Sequence, residues 1–319
     1  MLLQVVIFVL GVAVLSWAAD KFVYGASALA KNSGVSPMMI GLTIVAMGSS
    51  APEIMVSAVA SLADNRDTAV GNALGSNITN IALVLGITAM IKPIVVQSQT
   101  VKREMPILLV ICLIASWFIY DQYISRVEGL ILITGFALTI IGLAYFSIRS
   151  RTPDPIQQQT EQELPKDVSD LMAWMWIVTG LVLLPASAHF IVESAVNIAV
   201  YLGVSQLVIG LTVIALGTSL PELAASLAGV LKGEHDLALG NIVGSNIFNL
   251  LAVLAMPGLL SPGLIDANAA QIDIFVMLGF TGLLIIYSFD VYGRRRLNRL
   301  EAASFVAAFL VYQWYLFGR

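Results

Sequence analysis

Ten apolar stretches, at roughly 2–30, 37–62, 69–91, 105–120, 127–148, 171–200, 206–231, 238–260, 270–289 and 301–317, take up most of the 319 residues of this chain. Each is near the length of about 20 residues that carries a helix across a bilayer. Hydrophobic residues make up 58% of the sequence and charged residues 11%, with a mean hydropathy of +0.90. No soluble domain of this size could bury so much apolar surface. The expected fold is an all-α integral membrane protein with ten transmembrane helices. The first stretch has no basic residue before Lys21 and stays apolar through Ala30, so it reads as a retained helix and not as a cleaved leader. Cys112 stands alone in an apolar segment, which leaves no disulfide framework and no multi-cysteine metal site.

The net charge of −4 says less than the placement of Lys and Arg. With the N-terminus outside, the cytoplasmic connections would hold Lys31, Lys92, Lys102, Arg103, Arg149, Arg151, Lys166, Lys232, Arg294, Arg295, Arg296 and Arg299. The outside would keep Arg66, Arg126 and Arg319. Basic residues in short loops stay on the cytoplasmic side, so this asymmetry predicts an even number of spans with both termini outside.

The chain also matches itself without gaps at an offset of 169 residues. Gly34-Val35-Ser36 returns as Gly203-Val204-Ser205, Ile40-Gly41-Leu42-Thr43 as Ile209-Gly210-Leu211-Thr212, and Gly75-Ser76-Asn77-Ile78 as Gly244-Ser245-Asn246-Ile247. Residues 1–149 form one five-helix repeat and 170–319 the other, joined by a polar, Gln-rich and Pro-containing cytoplasmic linker at 150–169. Five is odd, so the second copy enters the membrane from the opposite side and the repeats are inverted. Inverted repeats with interrupted helices near the midplane are typical of secondary transporters.

Each repeat carries a glutamate beside a proline, in Gly48-Ser49-Ser50-Ala51-Pro52-Glu53 and in Gly217-Thr218-Ser219-Leu220-Pro221-Glu222. Proline cannot donate to the helix ladder and clashes with the carbonyl one turn back, which predicts a kink and a free carbonyl at Gly48 and Gly217. Such a break is tolerated at membrane depth only where it is buried or lines a polar cavity. Glu53 and Glu222 fall near mid-membrane, where an unpaired charge costs at least about 2.5–3.5 kcal/mol. No Lys or Arg lies at comparable depth, so the expected counter-charge is a mobile cation.

The next helix of each repeat reads Gly71-Asn72-x-x-Gly75-Ser76-Asn77-x-x-Asn80 and Gly240-Asn241-x-x-Gly244-Ser245-Asn246-x-x-Asn249. A spacing of four sets Asn72, Ser76 and Asn80 on one face, and likewise Asn241, Ser245 and Asn249. Glycines beside them allow close helix packing. For Asn72, Asn77, Asn241 and Asn246, interhelical hydrogen bonding fits as well as ligation. The resulting donor set is oxygen alone, which suits Ca²⁺ with its 6–8 oxygen ligands and also Na⁺. Softer metals would want His or Cys. The pairs Asp20 with Lys21 and His189 with Glu193, in the first helix of each repeat, read as rim groups.

These motif regions resemble the paired repeats of the calcium/cation antiporter superfamily, especially its bacterial sodium/calcium exchanger branch, over essentially the whole chain. The resemblance implies a ten-helix monomer in a prokaryotic inner membrane, alternating access by sliding of the long first and sixth helices, and a central cluster of Ca²⁺ and Na⁺ sites. By motif position the ligands would be Ser49, Ser50, Glu53, Ser76 and Asn80, then Thr218, Ser219, Glu222, Ser245 and Asn249, with the carbonyls of Ala46 and Ala215. Some sodium/calcium exchangers carry aspartate at the position of Asn249. Proton-coupled relatives often have His directly after the glutamate, whereas Ile54 and Leu223 follow here, which favours Na⁺.

The expected activity is therefore exchange of Na⁺ for Ca²⁺, with H⁺ or K⁺ coupling as the alternative. A passive cation channel would use the same oxygen-rich centre, but inverted repeats favour a carrier. An enzyme would need a nucleophile or a metal with a water-activating partner; none is evident, and neither a cofactor nor a nucleic-acid partner is expected. The charge asymmetry predicts that a phosphatase reporter fused after Arg319, active only outside the cytoplasm, gives high activity; inactivity there would reverse the topology.

Overall fold

The computed structural model describes residues 1–34, 40, 44, 48, 50–96, 104–149, 168–232, 235–288 and 296–318. Its helices are α1 (Leu2–Asn32), α2 (Ala51–Leu62), α3 (Arg66–Thr79, running on through a π turn at Asn80–Leu85 into Gly86–Ile91), α4 (Met105–Ile119), α5 (Arg126–Arg149) and α6 (Asp170–Leu202). There follow α7 (Gln206–Ile209, a π turn at Gly210–Ile214, then Ala215–Thr218), α8 (Leu220–Lys232), α9 (His235–Phe248, a π turn at Asn249–Val253, then Ala255–Leu260), α10 (a π turn at Ala269–Asp273, then Ile274–Ser288) and α11 (Arg299–Phe317).

Among the described residues, six helical runs are long and apolar enough to cross a membrane, or seven if the bent pair Gln206–Thr218 and Leu220–Leu231 counts as one span. The chain is thus an all-helical membrane protein. The expected span at 37–62 is described only in part, that at 105–120 is represented by the shorter Met105–Ile119, and most of the 150–169 linker lies outside the described residues.

The two longest helices, α1 and α6, pack against each other in antiparallel fashion. Small residues set the approach: a Cβ on Gly11 would meet Ile191 at 2.8 Å, and one on Gly180 would meet Phe22 at 2.5 Å. Gly180 and Ile191 are the counterparts of Gly11 and Phe22 at the 169-residue offset, so these are one contact made twice. Trp176 of α6 packs edge-on to Trp17 of α1 and takes the Lys21 ammonium over its ring at 5.0 Å. The outer faces, with Leu3, Val9, Leu10, Trp174, Val178 and Val182, are exposed, as a lipid-facing surface should be. His189 and Glu193 lie exposed on α6, 3.8 Å apart.

The offset recurs in the backbone. Gly34 and Gly203, after α1 and α6, both take positive φ, +84° and +71°. The π turns of α3 and α9 start at counterpart residues, Asn80 and Asn249. Two short antiparallel ladders tie the halves of the chain together: Ile94–Val95 pairs with Arg296–Leu297, and Tyr123–Ile124 with Gly263–Leu264.

Beside the second ladder, Arg66 donates to Ser261 at 3.1 Å and Ser261 donates to Asp64 at 2.7 Å, while Asp67 accepts from the Asp266 N–H at 2.7 Å. The Ser261 hydroxyl, helped by Arg66, holds the Asp64 carboxyl below its ordinary range.

At the centre α3 crosses α7 with backbones nearly touching. A Cβ on Gly71 would lie 2.6 Å from the Leu207 carbonyl, and one on Gly210 would lie 2.6 Å from the Thr68 carbonyl. Backbone cannot yield as a side-chain tip can, so Gly210→Val should destabilise by about 1–3 kcal/mol or more. Thermal unfolding in detergent would show this as a lowered midpoint; an unchanged midpoint would contradict the packing.

Candidate functional site

Both glutamates begin a new helix. Ser50 (φ −94°, ψ 5°) leaves helical geometry before α2, and Ser219 (φ −86°, ψ 3°) does so before α8. Pro52 and Pro221 then fall in the first turn, where a missing N–H costs no helical bond. The expected break at the proline is thus made as a stop and restart, with a bend of 43° between the α7 and α8 segments. The physical reason is economy of backbone bonding: restarting satisfies proline, whereas continuing would sacrifice a bond and force a clash. Glu53 and Glu222 consequently sit in the first turn of a helix, where unpaired N–H groups and the helix dipole favour negative charge.

The two restarts meet. Asn72 of α3 donates from Nδ2 to the Glu53 carbonyl at 3.1 Å, and its Oδ1 accepts from the Thr218 hydroxyl at 3.4 Å. One side chain therefore fastens the first motif to the second. Glu53 and Glu222 lie within electrostatic reach of each other, with Thr218 beside Glu53 and Ser245 beside Glu222. Both carboxylates are 1% exposed.

Between α3 and α9 a second knot forms. Asn77 Nδ2 donates to the Asn246 carbonyl at 3.2 Å, and Asn246 Nδ2 donates to the Asn77 carbonyl at 3.4 Å. These two residues are counterparts, so the bonds are reciprocal. Asn246 Oδ1 also accepts from Asn80 Nδ2 at 3.1 Å, which turns Asn80 so that its Oδ1 is left without a protein partner.

Buried oxygens without protein partners concentrate on the residues expected as ligands. Among the described residues, no partner is found for both oxygens of Glu53 and of Glu222, the hydroxyls of Ser50, Ser76, Ser219 and Ser245, and the amide oxygens of Asn80 and Asn249. Buried polar atoms are nearly always paired, and an ionised carboxylate is the costliest kind to leave bare. Thr218 is placed differently, its hydroxyl within reach of the Ile214 and Ala215 carbonyls as well as Asn72. The Ala215 carbonyl accepts from the Ser219 N–H at 3.1 Å. Ser49 and Ala46 lie outside the described residues. No group of three or more His, Cys, Asp or Glu side chains is gathered among the described residues, so the donor set is dominated by neutral oxygens around two carboxylates.

Sequence reasoning left Asn72 and Asn246 undecided between packing and ligation, and neither was placed among the ligands. The structure shows the interhelical hydrogen bonds of the first reading, with Asn72 holding the Glu53 backbone and the Thr218 hydroxyl and Asn246 holding the Asn80 amide. The signal was present in the repeated Gly-Asn and Gly-Ser-Asn triplets, but spacing alone does not tell a ligand from its support.

Compared with known proteins, the chain matches the sodium/calcium exchanger protein family over residues 3–145 and 172–318. It belongs to that family. Among its exchanger relatives it is 52% identical over 318 residues to CaxA of Alkalimonas amylolytica, provisionally assigned as an antiporter, with both chains covered at 100%. It is 29% identical to the sodium/calcium exchanger MaX1 of Methanosarcina acetivorans, over 97% of this chain and 98% of that one. A solved structure of the sodium-calcium exchanger NCX_Mj, soaked with Na⁺ and Sr²⁺, superposes with a TM-score of 0.63 at 30% identity, covering 97% of each chain.

The knot at Asn72 can be tested in this exchanger without transport. Asn72→Ala leaves the Glu53 carbonyl and the Thr218 hydroxyl without their partner, and should lower stability by about 1–3 kcal/mol. Asn241→Ala removes a counterpart whose Nδ2 has no partner here and should cost less. Equal thermal shifts for the two variants would contradict the assignment.

Proposed function

We propose that this exchanger carries Ca²⁺ across the membrane in exchange for Na⁺, both ions competing for one set of oxygens between the α2 and α8 restarts. The observation that carries this reading is the cluster of buried, donor-free oxygens around Glu53 and Glu222. Two carboxylates neutralise one Ca²⁺, and the remaining hydroxyl and amide oxygens of Ser50, Ser76, Asn80, Ser219, Ser245 and Asn249 bring the count toward the 6–8 that Ca²⁺ takes. Ser49, Thr218 and the carbonyls of Ala46 and Ala215 complete the proposed set. Because Asn249 is neutral, these two glutamates are the charges that fix how many Na⁺ one Ca²⁺ replaces.

Ten spans in two inverted five-helix repeats, with both termini outside and the 150–169 linker in the cytoplasm, is the architecture that best suits this task. The matched helix restarts, π turns and α1–α6 glycine contacts at counterpart positions support it, as does the basic asymmetry of the connections. One chain supplies both glutamates, so a monomer in the plasma membrane suffices. Carriage is the reading: neutral hydroxyl and amide oxygens around two carboxylates form a set that suits a hard cation.

Proteoliposomes test the coupling directly. An outward Na⁺ gradient should drive accumulation of radioactive calcium, and Glu53→Gln or Glu222→Gln should reduce it to the protein-free background. Accumulation driven equally by a pH gradient without Na⁺ would replace Na⁺ coupling by proton coupling, and a requirement for K⁺ would identify a K⁺-dependent exchanger.

A further inference from the structure

The repeat relates residues that are not in the same state. Three hydrogen bonds are made in one half and open at their counterparts. Asn72 Nδ2 reaches the Glu53 carbonyl at 3.1 Å, whereas Asn241 Nδ2 has no partner. Asn80 Nδ2 reaches Asn246 Oδ1 at 3.1 Å, whereas Asn249 Nδ2 and Asn77 Oδ1, which would make the same bond, are both buried and both without partners. Ser57 of α2 donates to the Val253 carbonyl in the α9 π turn at 2.9 Å, whereas Ser226 of α8, 1% exposed, leaves its hydroxyl unpaired. The counterpart acceptor for Ser226 is the Val84 carbonyl in the α3 π turn.

Packing divides along the same line. On α2, Val56 and Ala60 are fully buried in a cluster with Leu184, Ala188, Ile191 and Ala195 of α6. On α8 the counterpart face is less covered: Ala225, the counterpart of Val56, is exposed together with Ala224 and Ala228, although Gly229, the counterpart of Ala60, is buried, and Leu220 is 55% exposed where its counterpart Ala51 is partly buried. From its restart α2 runs toward the connection at 63–65, and α8 runs toward 233–234. The α8 face is therefore less covered than its α2 counterpart, while Glu222 and Glu53 are themselves equally buried, each 1% exposed.

We infer that the exchanger changes access by trading these hydrogen bonds between counterpart residues, with Ser57 and Ser226 as the alternating latch. In the state described here Ser57 holds α2 against the α9 π turn. In the other state Ser226 holds α8 against the α3 π turn through the Val84 carbonyl, Asn241 supports the Glu222 carbonyl, and Asn249 bonds Asn77. The reciprocal Asn77 and Asn246 backbone contacts are self-matched under the repeat and serve as the pivot. The Val253 carbonyl takes the Ser57 hydroxyl, and the Val84 carbonyl, which here accepts from the Thr88 hydroxyl at 2.7 Å, has a second lone pair for Ser226. The inference rests on the inverted architecture proposed above but not on the identity of the exchanged ions. With that topology, the less covered α8 runs toward the cytoplasm.

Single-cysteine labelling in lipid nanodiscs tests it, with both faces reachable and no ion gradient needed. In a Cys112→Ala background, a hydrophilic maleimide reports the uncovered half through Ala225→Cys and the covered half through Val56→Cys. Ser57→Ala should slow labelling at Ala225→Cys and speed it at Val56→Cys, by roughly two- to tenfold for one lost hydrogen bond. Ser226→Ala should shift both rates the opposite way, and the double variant should return toward the parent. Shifts in the same direction for both serines, no shift in either, or an unreactive Ala225→Cys would overturn the latch. If Ser57→Ala fails to fold, Ser226→Ala alone decides, because its hydroxyl makes no bond in this state. Calcium flux can persist or fail independently of these rates, so the two readings fall separately.

Discussion

Two carboxylates held in a nonpolar interior without a basic partner are the constraint on which the rest of this structure depends. A lysine or arginine nearby would settle their charge permanently and leave a structural ion pair. Among the described residues none lies on the oxygens of Glu53 or Glu222, and each instead sits at a helix N-terminus, which favours the anion without neutralising it. The surroundings then follow. Restarts at Ala51 and Leu220 place the glutamates in a first helical turn, buried serine and asparagine oxygens lie on the restarts and on α3 and α9, and glycines at 71 and 210 let α3 and α7 approach closely. In the function proposed above, a cation is the partner that satisfies these oxygens and can also leave.

Supporting residues make the shell specific. Asn72 spans from the first motif to the second, so displacement of either restart must be felt by the other. Asn246 spends its amide oxygen on Asn80 and so presents the Asn80 oxygen to the site. A neutral amide suits such a post because it both donates and accepts; an aspartate at the same place would have added a third charge and lost the donor. This explains how a site with so little charge can still be tightly arranged.

Much of this was legible in the sequence, and the reasons are particular. Apolar length marked the membrane spans, and an offset of 169 residues marked the duplication, because both are properties of composition and order. The glutamates stood out since a charge at mid-membrane needs a cause. The proline was harder to read: it announced a break, but whether α2 would kink or restart depended on Ser50 leaving helical geometry, a local conformational choice that residue type does not dictate. Asn72 and Asn246 were visible but ambiguous, because a ligand and a brace share the same chemistry and differ only in where the amide points. The inequality of Val56 and Ala225 could not be read at all. Counterparts in a repeat carry the same information, and only the packing of α6 over one of them tells the halves apart.

Ion competition at equilibrium tests the central claim most directly. Calorimetric titration of Ca²⁺ into the purified protein should give one saturable site whose apparent affinity falls as Na⁺ is raised at constant ionic strength, with binding lost in Glu53→Gln and in Glu222→Gln alike. Calcium binding that is indifferent to Na⁺, or that survives loss of either glutamate, would contradict a single shared site between the two restarts.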